Sequence, residues 1–279
     1  MHTICLTINS KYRKNHDTTK ATDYIYNLPR ELRNVKSITY IKGEFPCTPL
    51  IISPDNASNH FMANSNNIYL KKGNYTGKQL AEEIQNEFKE KNIETQIDIS
   101  YDIVKNTFSF LKVGATPDIS LDFSFKDQDC TTLGDTNKLT LGWTMGYRNT
   151  SYINTDYKTS SDIKRTYRVG IEGEGEYNRF GSRYFMLYVN DFNNNHKGGH
   201  ITSYKDSTLS ENNLLAKIDY CIDSDTRMVT TESVYNTKRE YLGKNDINRL
   251  HIKLLDEYGR LVDLNNMDYS ITLQIEIDN

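Results

Sequence analysis

Cysteine, proline and tryptophan are scarce in this chain of 279 residues, and each shortage excludes something. The four cysteines, Cys5, Cys47, Cys130 and Cys221, lie far apart and form no C-x-x-C pair. A zinc ribbon or a thioredoxin-like redox site needs such pairs, so neither is written here. Scattered cysteines fit a protein made in the cytosol with its thiols reduced. No run approaches the roughly 18 apolar residues that a transmembrane helix needs. The N-terminal Met-His-Thr-Ile-Cys-Leu-Thr-Ile is too short and too alternating for the apolar region of a secretory signal. A basic excess is missing as well: 34 Lys and Arg stand against 37 Asp and Glu, a net charge of −3. A nucleic-acid backbone would find no counter-charge, so general binding to it is disfavoured. Lys11, Arg13 and Lys14 form a short basic cluster of the kind ordinary solvated surfaces carry.

What is present is period-two patterning. Residues 3–9, Thr-Ile-Cys-Leu-Thr-Ile-Asn, alternate apolar with polar, which predicts a strand with one buried face. Residues 10–22 are polar and aperiodic and read as an arm. Residues 37–41 and 50–52 read as short strands, with Pro46, Pro49 and Pro54 between and after them, because proline cannot donate to a ladder. Further strands are expected at 95–101, 107–111, 119–125, 183–190, 214–222, 250–255, 260–264 and 269–277.

One helix is expected. Thr76 followed by Gln79 makes a capping box, and Leu80, Ile84 and Phe88 then recur at spacing four with Ala81 beside them. Its other faces carry Lys78, Glu82, Glu83, Glu87 and Lys89, a mostly acidic surface unsuited to anionic lipid. Many strands and a single helix predict an all-β fold: a single jelly-roll β-sandwich of two antiparallel sheets, with one amphipathic helix and long loops. The domain reading is an N-terminal strand and polar arm over 1–22 and a jelly-roll domain over 23–279. A long loop insertion at about 144–182, rich in Gly, Ser, Thr, Tyr and Asn, is read as exposed.

Chemistry-bearing patterns are weak. Gly173, Gly175 and Gly181 do not match G-x-G-x-x-G, and no helix pattern follows to cradle a phosphate. His196 and His200 are four apart, but Gly198 and Gly199 between them oppose a helix, and no further ligands complete a metal site. The carboxylate pairs Asp127 with Asp129, and Asp223 with Asp225, sit in polar loops. Cys47 near His60 reads as a thiol beside a strand more readily than as a nucleophile pair. No G-x-S-x-G, H-E-x-x-H or Walker loop occurs. No catalytic, cofactor-binding or metal-ligating residue is therefore assigned, no cofactor is expected, and the chain reads as a non-enzyme. Tyrosine is abundant at 20; it suits stable yet soluble interfaces and is equally a good strand former.

The order of several blocks carries a resemblance. Asn9-Ser10-Lys11-Tyr12-Arg13 precedes Tyr24-Ile-Tyr-Asn-Leu-Pro29, Val35-Lys-Ser-Ile38, Phe45-Pro46 and Gly73-Asn-Tyr-Thr-Gly-Lys-Gln-Leu80. Ile99-Ser-Tyr-Asp102, Phe108-Ser-Phe110, Leu139-Thr-Leu-Gly-Trp143 and Tyr184-Phe-Met-Leu-Tyr-Val-Asn-Asp-Phe192 follow. The end is the most specific: Asp256-Glu-Tyr-Gly-Arg260, Asp263-Leu-Asn-Asn266 and Tyr269-Ser-Ile-Thr-Leu273. This order resembles the penton-type and minor capsid single-jelly-roll proteins of nucleocytoplasmic large DNA viruses and their smaller relatives. The stretch from Tyr147 to Arg183 matches nothing in that pattern. The resemblance implies a structural component of an icosahedral capsid, most simply the penton protein, a homopentamer at five-fold vertices. Implied partners are itself, the major capsid protein and other minor capsid proteins, with no specific nucleic acid and no direct membrane insertion. The implied location is the virion, assembled in the host cytoplasm. A minor capsid protein between major capsomers is the alternative, and a β-sandwich glycan-binding module is the alternative from another class.

Overall fold

The structure is a computed structural model. It describes residues 2–54, 58–113, 118–124, 136–153, 158–159, 169–193, 195–197, 200–204, 207–211, 213–220, 228–232 and 238–278. The chain divides into two compact units, one of Met1–Pro49 with Ser182–Asn279 and the other of Leu50–Gly181. This division cuts across the sequence-based domains: residues 1–22 belong to the first unit, and most of the 144–182 stretch to the second.

In chain order, the first unit begins with β1 (His2–Asn9) and β2 (Asp23–Pro46). The second unit holds β3 (His60–Ala63), β4 (Asn66–Tyr69), α1 (Gly77–Glu90), β5 (Ile97–Asp102), β6 (Thr107–Lys112), β7 (Leu121–Asp122), α2 (Leu141–Met145), β8 (Ser151–Tyr152), β9 (Lys158–Thr159) and β10 (Val169–Glu172). The first unit resumes with β11 (Tyr184–Asn190), β12 (His196–Lys197), β13 (His200–Tyr204), β14 (Ser207–Glu211), β15 (Leu214–Asp219), β16 (Met228–Glu232), β17 (Lys238–Leu255) and β18 (Ser270–Ile277). The fold is all-β, and every pairing among the described residues is antiparallel.

The first unit is built on one sheet, ordered β1-β18-β2-β17-β11-β15, with β16 on β2 and β12 on β17. Its organiser is β2, with 24 residues. Fully extended it would run about 80 Å at 3.3 Å per residue, too long for one flat layer of a domain this size. It bends instead. Asn34 takes a left-handed φ of 57° and donates its amide to Asp246, and the β2–β17 register shifts three times nearby. Such irregularities bend strands and sharpen their twist. The start of β2 pairs with the end of β17, next to β11 and β15, while its later half pairs with β18 and β16. The two ends then face each other: the Phe45 and Phe185 rings lie 6.3 Å apart, and Tyr220 Oη donates to the Pro46 carbonyl at 2.6 Å. Two antiparallel layers thus enclose one core, the sandwich expected of a jelly roll. Ile271, Leu273, Ile275 and Ile277 of β18, Val35 and Ile38 of β2 and Leu250, Ile252 and Leu254 of β17 fill it.

Two expected strands of this unit differ. The short strand at 37–41 is the middle of β2, whose exposed Arg30, Glu31 and Arg33 and whose Pro29 hide the continuity in sequence. Residues 260–264 form only an isolated bridge, Leu255 with Leu261, because their polar groups build turns.

The second unit contains two four-stranded sheets, β5-β6-β10-β9 and β4-β3-β7-β8. Aromatic side chains join them: Phe61 and Phe123 from one sheet meet Phe110 of the other at 5.6 and 6.4 Å. Helix α1 lays Leu80, Ala81, Ile84 and Phe88 into the same core, and both halves of its capping box form. The expected strand at 50–52 is reduced to a bridge between Ile52 and Gly73, with Pro49 and Pro54 interrupting a ladder on either side. Ile119, Leu121 and Phe123 are buried as their alternation predicts, although only Leu121 and Asp122 pair as β7; Phe125 lies outside the described residues. The stretch read as an exposed insertion differs most. Tyr147, Tyr152, Ile171 and Tyr177 within it are core residues.

Candidate functional site

The sequence-derived candidates separate. His196 lies on β12 opposite Tyr241, whereas His200 opens β13, so the two are not on one helical face. Cys47 packs against the core of the first unit, and His60, in the second, stacks on Tyr69 at 5.8 Å. Asp127, Asp129, Asp223 and Asp225 lie outside the described residues, as do Cys130 and Cys221. Gly146, φ 102°, and Gly175 bring two backbones together, Gly175 donating to the Gly146 carbonyl at 2.8 Å. No helix follows the glycines at 170–181; β11 does. Among the described residues no three His, Cys, Asp or Glu side chains converge as metal ligands, and no helix is long and apolar enough to cross a membrane.

A cleft of about 370 Å³ opens where β17 bulges away from β2, lined by Lys36, Ser37, Lys238, Glu240, Lys244 and Glu276 among others. Lys36, Lys238, Glu240 and Glu276 of this lining are held in ion pairs. Lys238 Nζ contacts Glu276 at 2.8 Å and Glu240 at 3.5 Å, and Ser37 Oγ donates to Glu276 at 2.8 Å. The hydrogen bonds from Lys238 and Ser37 hold the Glu276 carboxyl below its ordinary pKa, and the bond to Glu276 raises that of Lys238. A carboxylate pinned ionised by a pinned ammonium is poor general acid or base equipment.

On the inner side of the same strand lies a buried charge cluster that sequence reading missed. Arg239 and Asp191 are 3% and 0% exposed, with 3.7 Å between their charged atoms. Arg239 Nη1 donates to the Val189 carbonyl at 2.6 Å, and Asp191 accepts from the Tyr241 hydroxyl and the Asn193 amide. Burial, then the Asp191 charge, push the Tyr241 pKa up. Tyr241 also lines the cleft, whereas Arg239 and Asp191 do not; the buried ion pair ties β17 to the end of β11.

The terminal segments of the sequence resemblance, with Ser10 and Arg13, land on turns and clamps of the first unit, while others, such as Gly73–Leu80 and Leu139–Trp143, lie in the second. Asp256 Oδ1 accepts the amides of Tyr258 and Arg260, both at 2.9 Å, while Oδ2 takes the Arg260 guanidinium at 2.8 Å; Gly259 turns the chain at φ 80°. Asp263 accepts the Asn265 amide at 2.8 Å, and Asn265 and Asn266 both take left-handed φ. Asp268 then receives Ser10 Oγ and Arg13 Nη1, each at 2.7 Å. Fully buried Tyr269 accepts the Ser10 amide at its carbonyl and donates its own amide to Ser10 Oγ, and its ring stacks on Phe45. The basic cluster is thereby split: Arg13 is a buried clamp on its own unit, while Lys11 lies over the exposed Tyr12 ring.

No family model matches the chain, and no curated protein matches it. Among solved structures, the mavirus penton protein is similar over 99% of this chain and 99% of its own, at 10% identity and a TM-score of 0.49. A chain from the electron cryomicroscopy structure of the Sputnik virophage is similar over 99% of this chain and 98% of its own, at 11% identity and a TM-score of 0.45.

The remaining exposed features suit contacts between molecules. Ile103 and Val104, 66% and 90% exposed, form the tip of the β5–β6 hairpin. Asp102 holds that tip rigid by accepting the Val104 and Lys105 amides, which lower its pKa. The one tryptophan, half-buried Trp143, has a face covered by Arg148, 4.4 Å above its ring.

Proposed function

We propose that this chain is a non-enzymatic structural component of an icosahedral viral capsid, acting as a penton protein that forms a homopentamer at five-fold vertices. One observation carries the reading. The most specific blocks of the resemblance, those at the end of the chain, lock the first unit together with Ser10 and Arg13: Ser10 and Arg13 onto Asp268, the Asp256–Arg260 turn, the Asp263–Asn266 turn and buried Tyr269. A resemblance made of surface residues would say little about architecture; this one is made of turns and clamps. The Lys238–Glu276 and Lys238–Glu240 pairs that line the cleft suit a structural role for it.

In this reading each ring contact is heterologous, one flank of a subunit meeting the other flank of its neighbour. The major capsid protein and other minor capsid proteins surround the ring, and assembly takes place in the host cytoplasm. The test is to purify virus particles from infected cells, strip them with nuclease and detergent, and follow this chain by quantitative mass spectrometry. It is expected to remain in the shell fraction with five copies at each vertex in electron cryomicroscopy. Recovery only in the soluble fraction contradicts the proposal, and specific binding on a glycan array favours the sugar-binding alternative.

A further inference from the structure

The segment between β1 and β2 reads in sequence as a polar arm, and the structure builds it into a fixed loop. Arg13 is its hub. Its side chain, 6% exposed, donates to the Ser10 carbonyl at 2.9 Å, the Thr19 carbonyl at 3.1 Å and Asp268 at 2.7 Å. The Thr18 and Thr19 amides both donate to the Asn15 carbonyl, and Asn15 takes a left-handed φ of 54°. Thr22 Oγ1 ties the exit of the loop to the Val262 carbonyl at 2.8 Å. Arg13 thus fills the inside of the loop. Lys11, Tyr12, Lys14, His16 and Lys20 are all exposed, Tyr12 at 71%.

We infer that this loop is a sequence-independent contact for single-stranded nucleic acid, with phosphates on Lys11, Lys14 and Lys20 and a base on Tyr12. Arg13 is neutralised by Asp268, whereas Lys11, Lys14 and Lys20 have no carboxylate partner among the described residues. Within residues 10–20 and their partner Asp268, the four cations Lys11, Arg13, Lys14 and Lys20 stand against the two carboxylates Asp17 and Asp268. The net charge of −3 on the whole chain does not cancel this local excess, because charges more than about 8 Å apart are largely screened at physiological salt. The chain-wide balance that disfavours general nucleic-acid binding therefore does not describe this loop. Tyr12 selects among polyanions. An acidic polypeptide pairs with the lysines but leaves the tyrosine ring unused, and a duplex keeps its bases stacked inside. An unpaired base stacks on an exposed ring. Lys11 Nζ lies 4.9 Å from the centre of that ring, so one nucleotide reaches both, its base on the free face and its phosphate at the ammonium. Neither the loop nor this contact depends on the capsid reading.

The test uses the full chain and a fluorescein-labelled oligothymidylate, with binding followed by anisotropy at low salt. Three phosphate contacts give a log–log salt slope of about −2, so fourfold more salt is expected to weaken binding roughly 18-fold. Lys11→Ala with Lys14→Ala and Lys20→Ala is expected to lower affinity about tenfold or more and to flatten that slope. Lys72→Ala with Lys78→Ala and Lys89→Ala removes the same charge from exposed lysines of the second unit and is expected to leave affinity within about twofold. Tyr12→Ala is expected to cost about fivefold or more, while Tyr12→Phe keeps the affinity. Each variant is checked for an unchanged thermal midpoint. Absent binding, a loop variant no weaker than the second-unit control, or no loss in Tyr12→Ala overturns the proposal. Poly-glutamate displacing the probe as well as unlabelled oligothymidylate does also overturns it, and assigns the loop to an acidic protein partner.

Discussion

Replacing Asp191 with alanine tests the buried cluster that organises the inner face of β17. Arg239 is 3% exposed and its nearest counter-charge is the Asp191 carboxylate, itself fully buried. The substitution strands a guanidinium away from water, with only the Val189 carbonyl at 2.6 Å as a partner to Nη1. It also removes the acceptor of the Tyr241 hydroxyl and the Asn193 amide. Breaking one side of a buried ion pair costs about 3–5 kcal/mol, and that is the expected loss in urea unfolding followed by circular dichroism. Taking away both charges tells the two contributions apart. Asp191→Leu with Arg239→Met removes the desolvation penalty along with the attraction, so the double variant is expected within about 1.5 kcal/mol of the parent. The cycle is then strongly non-additive. An Asp191→Ala loss below about 1 kcal/mol, or additive single effects, would refute the reasoning.

Further expectations follow from other parts of the fold. Thr76→Ala removes the acceptor of the Gln79 amide and should destabilise the unit carrying α1 by about 1 kcal/mol in the same assay; no change would deny the cap a role. Gly146→Ala puts a side chain on a left-handed residue and drives its Cβ onto the Gly175 carbonyl oxygen, so a loss of about 2 kcal/mol or more is expected in thermal melts. Burial pushes Tyr40 and Tyr152 up to about 12. An unfolded tyrosine loses its proton near about pH 10, so their contribution is complete below that pH and is lost as pH rises towards 12. Near-ultraviolet titration should show these phenols ionising only with unfolding; early ionisation at pH 10 would contradict their burial. Glu276 is held below the usual glutamate value by Lys238 and Ser37. Its contribution is present above about pH 4.3 and fades as pH falls through the depressed native value. Glu276→Gln should therefore flatten the acid branch of the stability profile, and an unchanged branch would count against the pair.

The two most regular elements were the most readable. Helix α1 announced itself by its capping box and spacing-four stripe, and β18 by strict alternation, since both bury one face over many residues. The length of β2 was hidden because Pro29 and the charged Arg30, Glu31 and Arg33 interrupt its pattern, while its partners β17 and β18 maintain the ladder. Arg239 was hidden for a related reason. Buried positions of β17 are odd-numbered at 239, 245 and 247 and even-numbered at 250, 252 and 254. The register shift between Ile247 and Arg249 reverses the alternation. Reading inward from the clear apolar end therefore places Arg239 outside. The Gly-rich stretch from 146 looked exposed because its contribution to the core is a few tyrosines far apart in sequence. Tyr147 donates to the Phe108 or Ile171 carbonyl and Tyr177 to Tyr75, contacts that no local period encodes. The clamp of Arg13 on Asp268 joins residues 255 apart, and polarity alone made that segment read as a free arm.

An electron cryomicroscopy reconstruction of the virus particle, with this sequence traced into density, tests the central claim most directly. The account predicts the bent-strand sandwich of β2, β17 and β18 in the shell at the five-fold vertices, five copies to a ring. A shell complete without this chain, with the protein found free in the infected cell, would contradict it.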